Sequence, residues 1–93
     1  MLELDKLALK HKSDKYGHHS YTKIYQSFMF SKKNKKINLL EIGIGGYVKG
    51  QDYSNPLKGG HSLKMWRDYF KRGKICGLDI FEKKLDLGSR VKI

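Results

Sequence analysis

Asn38-Leu39-Leu40-Glu41-Ile42-Gly43-Ile44-Gly45-Gly46-Tyr47 is the stretch on which the reading of this chain turns. An apolar run of strand length ends in an acid and then breaks into three closely spaced glycines, as at the head of an α/β sheet where a ligand meets the backbone. The run predicts a buried parallel strand over 37–42. Without a Cβ, Gly43 takes positive φ easily and lets a ligand lie against the main chain.

Downstream, Ile75-Cys76-Gly77-Leu78-Asp79-Ile80 is a second apolar run with an acid near its end. Between the runs lies a long connection, 47–60, rich in Gly, Lys and Asp, and loops of this length in compact units tend to bind ligands. A helix then follows, with His61 or Ser62 as its cap, Leu63, Trp66 and Phe70 on one face, Met65 and Tyr69 beside them, and Gly73 past its end. Arg90 to Ile93 read as the opening of a third strand. Strand, glycine turn, helix and strand in this order predict a βαβ series.

Upstream, Leu2, Leu4, Leu7 and Ala8 predict a short amphipathic helix over 2–10. Tyr21, Ile24, Tyr25, Phe28 and Met29 follow helical spacing, with Ser20 as a candidate N-cap, and predict a second helix that packs on its aromatic stripe. The segment 12–21 between them concentrates polar, ionisable and aromatic residues and reads as a binding loop.

Ninety-three residues suffice for one small domain and no second core. Hydrophobic residues at 39% and aromatics at 12% exclude a disordered chain. The charge of +11, from 20 basic against 9 acidic residues, raises the question of nucleic acid, but the lysines are spread along the chain. Lys32, Lys33, Lys35 and Lys36 read as a solvated surface turn. Cys76, the one cysteine, excludes an internal disulfide and reads as a small buried strand residue. No apolar run is long enough to span a membrane and no signal peptide is apparent, so a cytoplasmic location is expected. Adjacent His18 and His19 point different ways and no carboxylate follows at ligand spacing, so no metal site is expected. His19 reads either as a plain loop histidine or as a contact over cofactor or substrate.

In a doubly wound sheet the turn after Ile42 and the end of the strand carrying Asp79 face one crevice, where an acid accepts hydrogen bonds from ribose hydroxyls. The separation from Gly43 to Asp79 exceeds the roughly 20 residues of a dinucleotide fold, and the long loop before Ser62 accounts for the excess. Val48 stands where a dinucleotide fingerprint wants its third glycine. Glu41 immediately before the turn fits another nucleoside ligand, S-adenosylmethionine.

Ser13-Asp14-Lys15 with His19 and Tyr21, the stretch from Leu39 to Tyr47, Gly59-Gly60-His61-Ser62-Leu63-Lys64-Met65-Trp66-Arg67-Asp68-Tyr69-Phe70, and Gly77-Leu78-Asp79-Ile80 together resemble the class I methyltransferases that O-methylate deoxysugars of macrolide antibiotics. The resemblance covers most of residues 10 to 81. It implies an incomplete Rossmann-like class I methyltransferase fold of the α/β class, with N-terminal helices (1–36, a helical or lid segment), the first βαβ unit and the start of a third strand (37–93). It implies an S-adenosylmethionine site at Glu41, Gly43, Gly45, Gly46 and Tyr47, completed by Ser62 and by Asp79 on the ribose. No residue of this chain is assigned a catalytic role; the catalytic groups are expected beyond Ile93. Magnesium is expected only in a full-length version, whose metal ligands and catalytic histidine would lie past the second strand, and the substrate is expected to be a sugar or other small molecule.

The expected function is therefore the N-terminal, cofactor-binding part of a sugar or small-molecule O-methyltransferase. By itself it is expected to fold poorly and to transfer no methyl group. A basic nucleic-acid-binding module and an inactive truncated gene product are the alternatives; both explain charge and length, but not the ordered motifs.

Overall fold

The computed structural model describes residues 2–13, 21–44 and 56–93. Among them, helix α1 (Glu3–Lys10), helix α2 (Tyr21–Met29) and a 3-10 turn (Phe30–Lys32) lead into strand β1 (Asn38–Ile42); helix α3 (His61–Tyr69), strand β2 (Lys74–Leu78) and strand β3 (Val91–Lys92) follow. The sheet has the order β1-β2-β3 and both pairings are parallel, with Leu39 opposite Ile75 and Ile42 opposite Leu78. The expected βαβ series is thus present. The third strand begins where 90–93 predicted it but is shorter: it pairs only Val91 and Lys92 with β2, and Ile93 lies past its end, 45% exposed.

One core holds the described residues together. Ile75 from β2, Leu63, Met65, Trp66 and Tyr69 from α3 and Phe70 just past its end bury against Leu4 and Ala8 of α1, with Ile44 and Leu87 closing the ends. Tyr69 and Phe70 meet edge to face at 4.9 Å. At Gly77 the Leu63 side chain of α3 lies close against the sheet: a Cβ there would stand 2.8 Å from Leu63 Cδ1 and 2.9 Å from Ile44 Cγ2. That position has no room for a side chain.

Two expectations about faces need correction, the burial of Cys76 and the packing side of α2. The strands alternate, so Leu39 and Ile75 point to the helices while Leu40, Ile42, Cys76 and Leu78 point away. Cys76 is accordingly exposed rather than buried. Leu39, Ile42, Ile75 and Leu78 do not share a face, because an apolar run with no polar alternation leaves its buried parity undetermined. In α2 the buried side is Thr22 with half-buried Tyr25, Gln26 and Met29, whereas Ile24 is 56% and Phe28 75% exposed. Polar anchoring turns the helix: Thr22 Oγ1 donates to Asp5 Oδ1, and Gln26 Oε1 accepts the Leu4 N–H at 3.0 Å.

The ends of α3 are held by groups other than those expected. Its N-cap is Gly60, in the left-handed conformation at φ 75°, with no side-chain cap. At its C-terminus the guanidinium of Arg90, from the segment before β3, donates to the carbonyls of Phe70, Gly73 and Arg67 at 2.8, 2.8 and 2.9 Å. Of these, the Arg67 carbonyl belongs to the last turn of α3, whose carbonyls a helix end leaves without internal partners. Arg90→Ala should therefore cost about 2 kcal/mol, the scale of losing charge-assisted bonds to part-buried acceptors, read as a lower urea midpoint of unfolding.

Candidate cofactor site

The end of β1 and the end of β2 are stitched together. Gly43 N–H donates to the Leu78 carbonyl at 2.7 Å, and Ile44 N–H donates to Asp79 Oδ2 at 2.9 Å. Asp79 Oδ1 accepts the Phe81 N–H, also at 2.9 Å. Asp79 thus clamps the glycine turn to the chain leaving β2, a role its sequence position did not announce. The Phe81 N–H does most to hold its carboxyl below the usual carboxylate range; partial burial opposes this, and the N–H groups of Ile44 and Ile80 with the charge of Lys83 assist.

Gly43 sits at φ +79°, and among the described residues a Cβ built on it meets nothing within 4 Å. The backbone there is open to a ligand while its conformation disfavours any side chain. Glu41, two residues earlier, is half-buried with Oε2 sealed from solvent, and lines a cavity of about 270 Å³ with Tyr25, Met29, Gly43 and Trp66. The start of α3 joins the turn through Gly60 N–H, which donates to the Ile44 carbonyl at 2.8 Å. Ser62 is buried in the first turn of α3 and its hydroxyl lies 2.7 Å from that of Ser13.

The structure therefore gathers Glu41, Gly43, Asp79 and, through Gly60, Ser62 at the C-terminal ends of the strands. Gly45, Gly46 and Tyr47 lie outside the described residues, as do Asp14, Lys15, His18 and His19. The catalytic groups expected beyond Ile93 lie outside this sequence altogether. Sequence reasoning missed Ser13 as the partner of Ser62, and missed what holds it there. His11 Nε2 binds Asp68 Oδ2 at 2.6 Å and His61 Nδ1 donates to the His11 carbonyl at 3.0 Å, pinning the end of α1 to α3. Burial works against the charged form of Asp68, but hydrogen bonds from Arg67 and His11, and their charges, outweigh it and hold its carboxyl below the usual range. The signal available was the spacing of His61 and Asp68, two turns apart on one helix, but their partner on α1 is distant in sequence.

Asp68 and Asp79 set an acid limit on stability. Both carboxyls are lowered from about 3.8, so the stabilisation they give is present above that value and is lost as pH falls through their folded-state values. The thermal midpoint should be insensitive to these groups above about pH 5 and drop below about pH 4. Asp79→Asn should flatten that drop; an unchanged profile would contradict the clamp.

Among the described residues no group of three His, Cys, Asp or Glu could hold a metal ion, and no helix is long and apolar enough to cross a membrane. No family model matches the chain. Curated relatives do. The 8-demethyl-8-alpha-L-rhamnosyl tetracenomycin-C 2'-O-methyltransferase of Streptomyces olivaceus is 41% identical over 85 residues, 91% of this chain and 21% of its own length. The L-olivosyl-oleandolide 3-O-methyltransferase of Streptomyces antibioticus is 43% identical over 82 residues, 87% of this chain and 20% of its own. Among solved structures, the MycE methyltransferase of the mycinamycin biosynthetic pathway, in complex with Mg and SAH, superposes with a TM-score of 0.82 at 35% identity, covering 99% of this chain and 23% of that one. The chain carries part of a class I methyltransferase fold and is similar in sequence to sugar O-methyltransferases. It spans about a fifth of the length of the curated relatives it matches. The Rossmann-like expectation is met in sheet order, strand direction and superposition alike.

Proposed function

We propose that residues 1–93 form the S-adenosylmethionine-binding opening part of an O-methyltransferase that acts on a hydroxyl of a sugar or similar small molecule. The observation that carries this reading is the open backbone at Gly43, held against Asp79 at the strand ends, in a chain similar over nearly its full length to sugar O-methyltransferases. The solved relative's ligand, SAH, is the demethylated form of the same cofactor. Residues 1–36 serve as the helical segment beside the site, and 37–93 as the first part of the cofactor domain.

The residues present fit the cofactor. Asp79 spends one lone pair of each oxygen on a backbone N–H, which leaves acceptor capacity for two ribose hydroxyls. Gly43 gives the ligand direct access to the main chain, Glu41 places a carboxylate beneath the turn, and Ser62 with Gly45, Gly46 and Tyr47 complete the assigned contacts. S-adenosylmethionine supplies the electrophilic methyl group. This chain's part is to bind and orient it, because alignment with the acceptor hydroxyl is worth several kcal/mol of barrier. The acceptor's base and the magnesium ligands belong to the remaining length of such an enzyme, beyond Ile93. A single thiol and a nucleoside cofactor suit a reducing cytoplasm.

The test is a chimera in which residues 1–93 replace the matched stretch of the Streptomyces olivaceus enzyme. With magnesium and the rhamnosyl tetracenomycin acceptor, it should transfer methyl groups while the same enzyme lacking that stretch does not. A folded but inert chimera, unable to bind S-adenosylmethionine, would refute the reading.

A further inference from the structure

Helix α1 ends in a reversal that aims a hydroxyl at the start of α3. Lys12 N–H donates to the Leu9 carbonyl at 3.2 Å and Ser13 N–H to the Ala8 carbonyl at 2.8 Å, the paired bonds of a Schellman ending. Its left-handed position is filled by Lys12, at φ 57°, where glycine is the usual occupant. A side chain in that conformation is strained, so contacts beyond the turn must hold it. Those contacts lead to α3. His11 Nε2 meets Asp68 Oδ2, the His11 carbonyl accepts from His61 Nδ1, and Ser13 Oγ stands 2.7 Å from Ser62 Oγ. Ser62 is 8% exposed, so water competes little for its hydroxyl.

A serine hydroxyl carries one proton and two lone pairs, and in this pair either oxygen can donate to the other. The group that Ser62 faces decides the direction. Opposite an acceptor-only group, Ser62 must give its proton outward and take that of Ser13. Charge selects which end of S-adenosylmethionine this is. β1 carries Glu41 and β2 runs into Asp79, and both repel a carboxylate. The first turn of α3 holds no acid and supplies the positive end of the helix dipole, which favours an anion.

We infer that Ser13 is a positioning residue for the cofactor: its hydroxyl donates to Ser62, and Ser62 in turn donates to the carboxylate at the methionine end of S-adenosylmethionine. The inference rests on the cofactor reading of Ser62 given above. Two donors in series ending on a carboxylate are polarised in one direction, so each bond strengthens the next. In the opposite direction Ser62 would turn its lone pairs to the carboxylate and repel it. The strained ending of α1 thereby gains a use. It delivers a donor to the first turn of α3 across 49 residues of sequence.

The test uses the chimera, where residues 1–93 sit in a full-length enzyme, and two ligands. One is S-adenosylhomocysteine; the other is its decarboxylated analogue, in which an aminopropyl chain replaces the amino-acid part and the nucleoside, sulfur and amine are kept. Ser13→Ala should weaken S-adenosylhomocysteine binding about fivefold, the worth of one hydrogen bond to a part-buried group, and leave the analogue's affinity unchanged. Ser62→Ala should weaken S-adenosylhomocysteine by at least as much. Adding Ser13→Ala to it should cost nothing further, because Ser13 acts through Ser62. A thermal scan of each variant checks that the fold is kept. Unchanged affinity in Ser13→Ala, equal losses for the two ligands, or losses that add in the double variant would overturn the inference and leave the cofactor reading standing. A chimera that binds neither ligand before any substitution would refute the cofactor reading, and the inference would fall with it.

Discussion

Gly43→Val in the chimera should leave no measurable S-adenosylmethionine binding, the largest effect expected of any single change. Two costs are separable here. Forcing a β-branched residue to φ +79° strains the backbone by about 1–2 kcal/mol, which a folded protein can absorb. Among the described residues the Cβ itself meets nothing within 4 Å, so they leave space for it. The ligand does not, because the open volume over Gly43 is the volume assigned to the cofactor. The variant should therefore retain a cooperative thermal transition and yet give a flat calorimetric titration. Normal affinity in a folded variant would remove Gly43 from the site.

The second large effect is expected at Asp79. Asp79→Ala should weaken S-adenosylmethionine binding by about 2–4 kcal/mol, roughly 30- to 1,000-fold, the scale of losing charge-assisted bonds to two hydroxyls. The same change frees the N–H groups of Ile44 and Phe81, so stability should fall as well. Asp79→Asn separates the two roles: its amide offers one acceptor oxygen in place of two, so it should recover part of the clamp and little of the affinity. Affinity that tracks stability across both variants would make Asp79 a structural clamp alone.

The particular residues show what the sequence made legible. The two apolar runs identified β1 and β2 within a residue or two, because each is of strand length and gives way to a turn. The Ser62–Phe70 segment was legible as a helix because its large side chains recur at helical spacing, and all five of its large apolar or aromatic residues are buried. The inward parity of the strands was not legible, since Leu39, Leu40 and Ile42 look alike and only the position of α3 decides between them. The buried side of α2 was missed for a related reason: Thr22 and Gln26 are fixed by Asp5 and the backbone of Leu4, and polar anchoring leaves no hydrophobic trace. Arg90 was read only as a strand opening. Its three carbonyl partners lie between 17 and 23 residues away, and nothing local marks it. At the site, the types and spacing of Glu41, Gly43 and Asp79 carried the reading, whereas the Ser13–Ser62 contact spans 49 residues and depended on how α1 lies on α3.

The most direct measurement is calorimetric titration of S-adenosylhomocysteine into the chimera, with magnesium present and with it removed by chelation. If residues 1–93 hold the cofactor and the metal is bound elsewhere, saturable binding at one site per chain should appear in both conditions, while methyl transfer stops on chelation. A folded chimera that shows no binding in either condition would contradict the assignment of this chain as the cofactor-binding part.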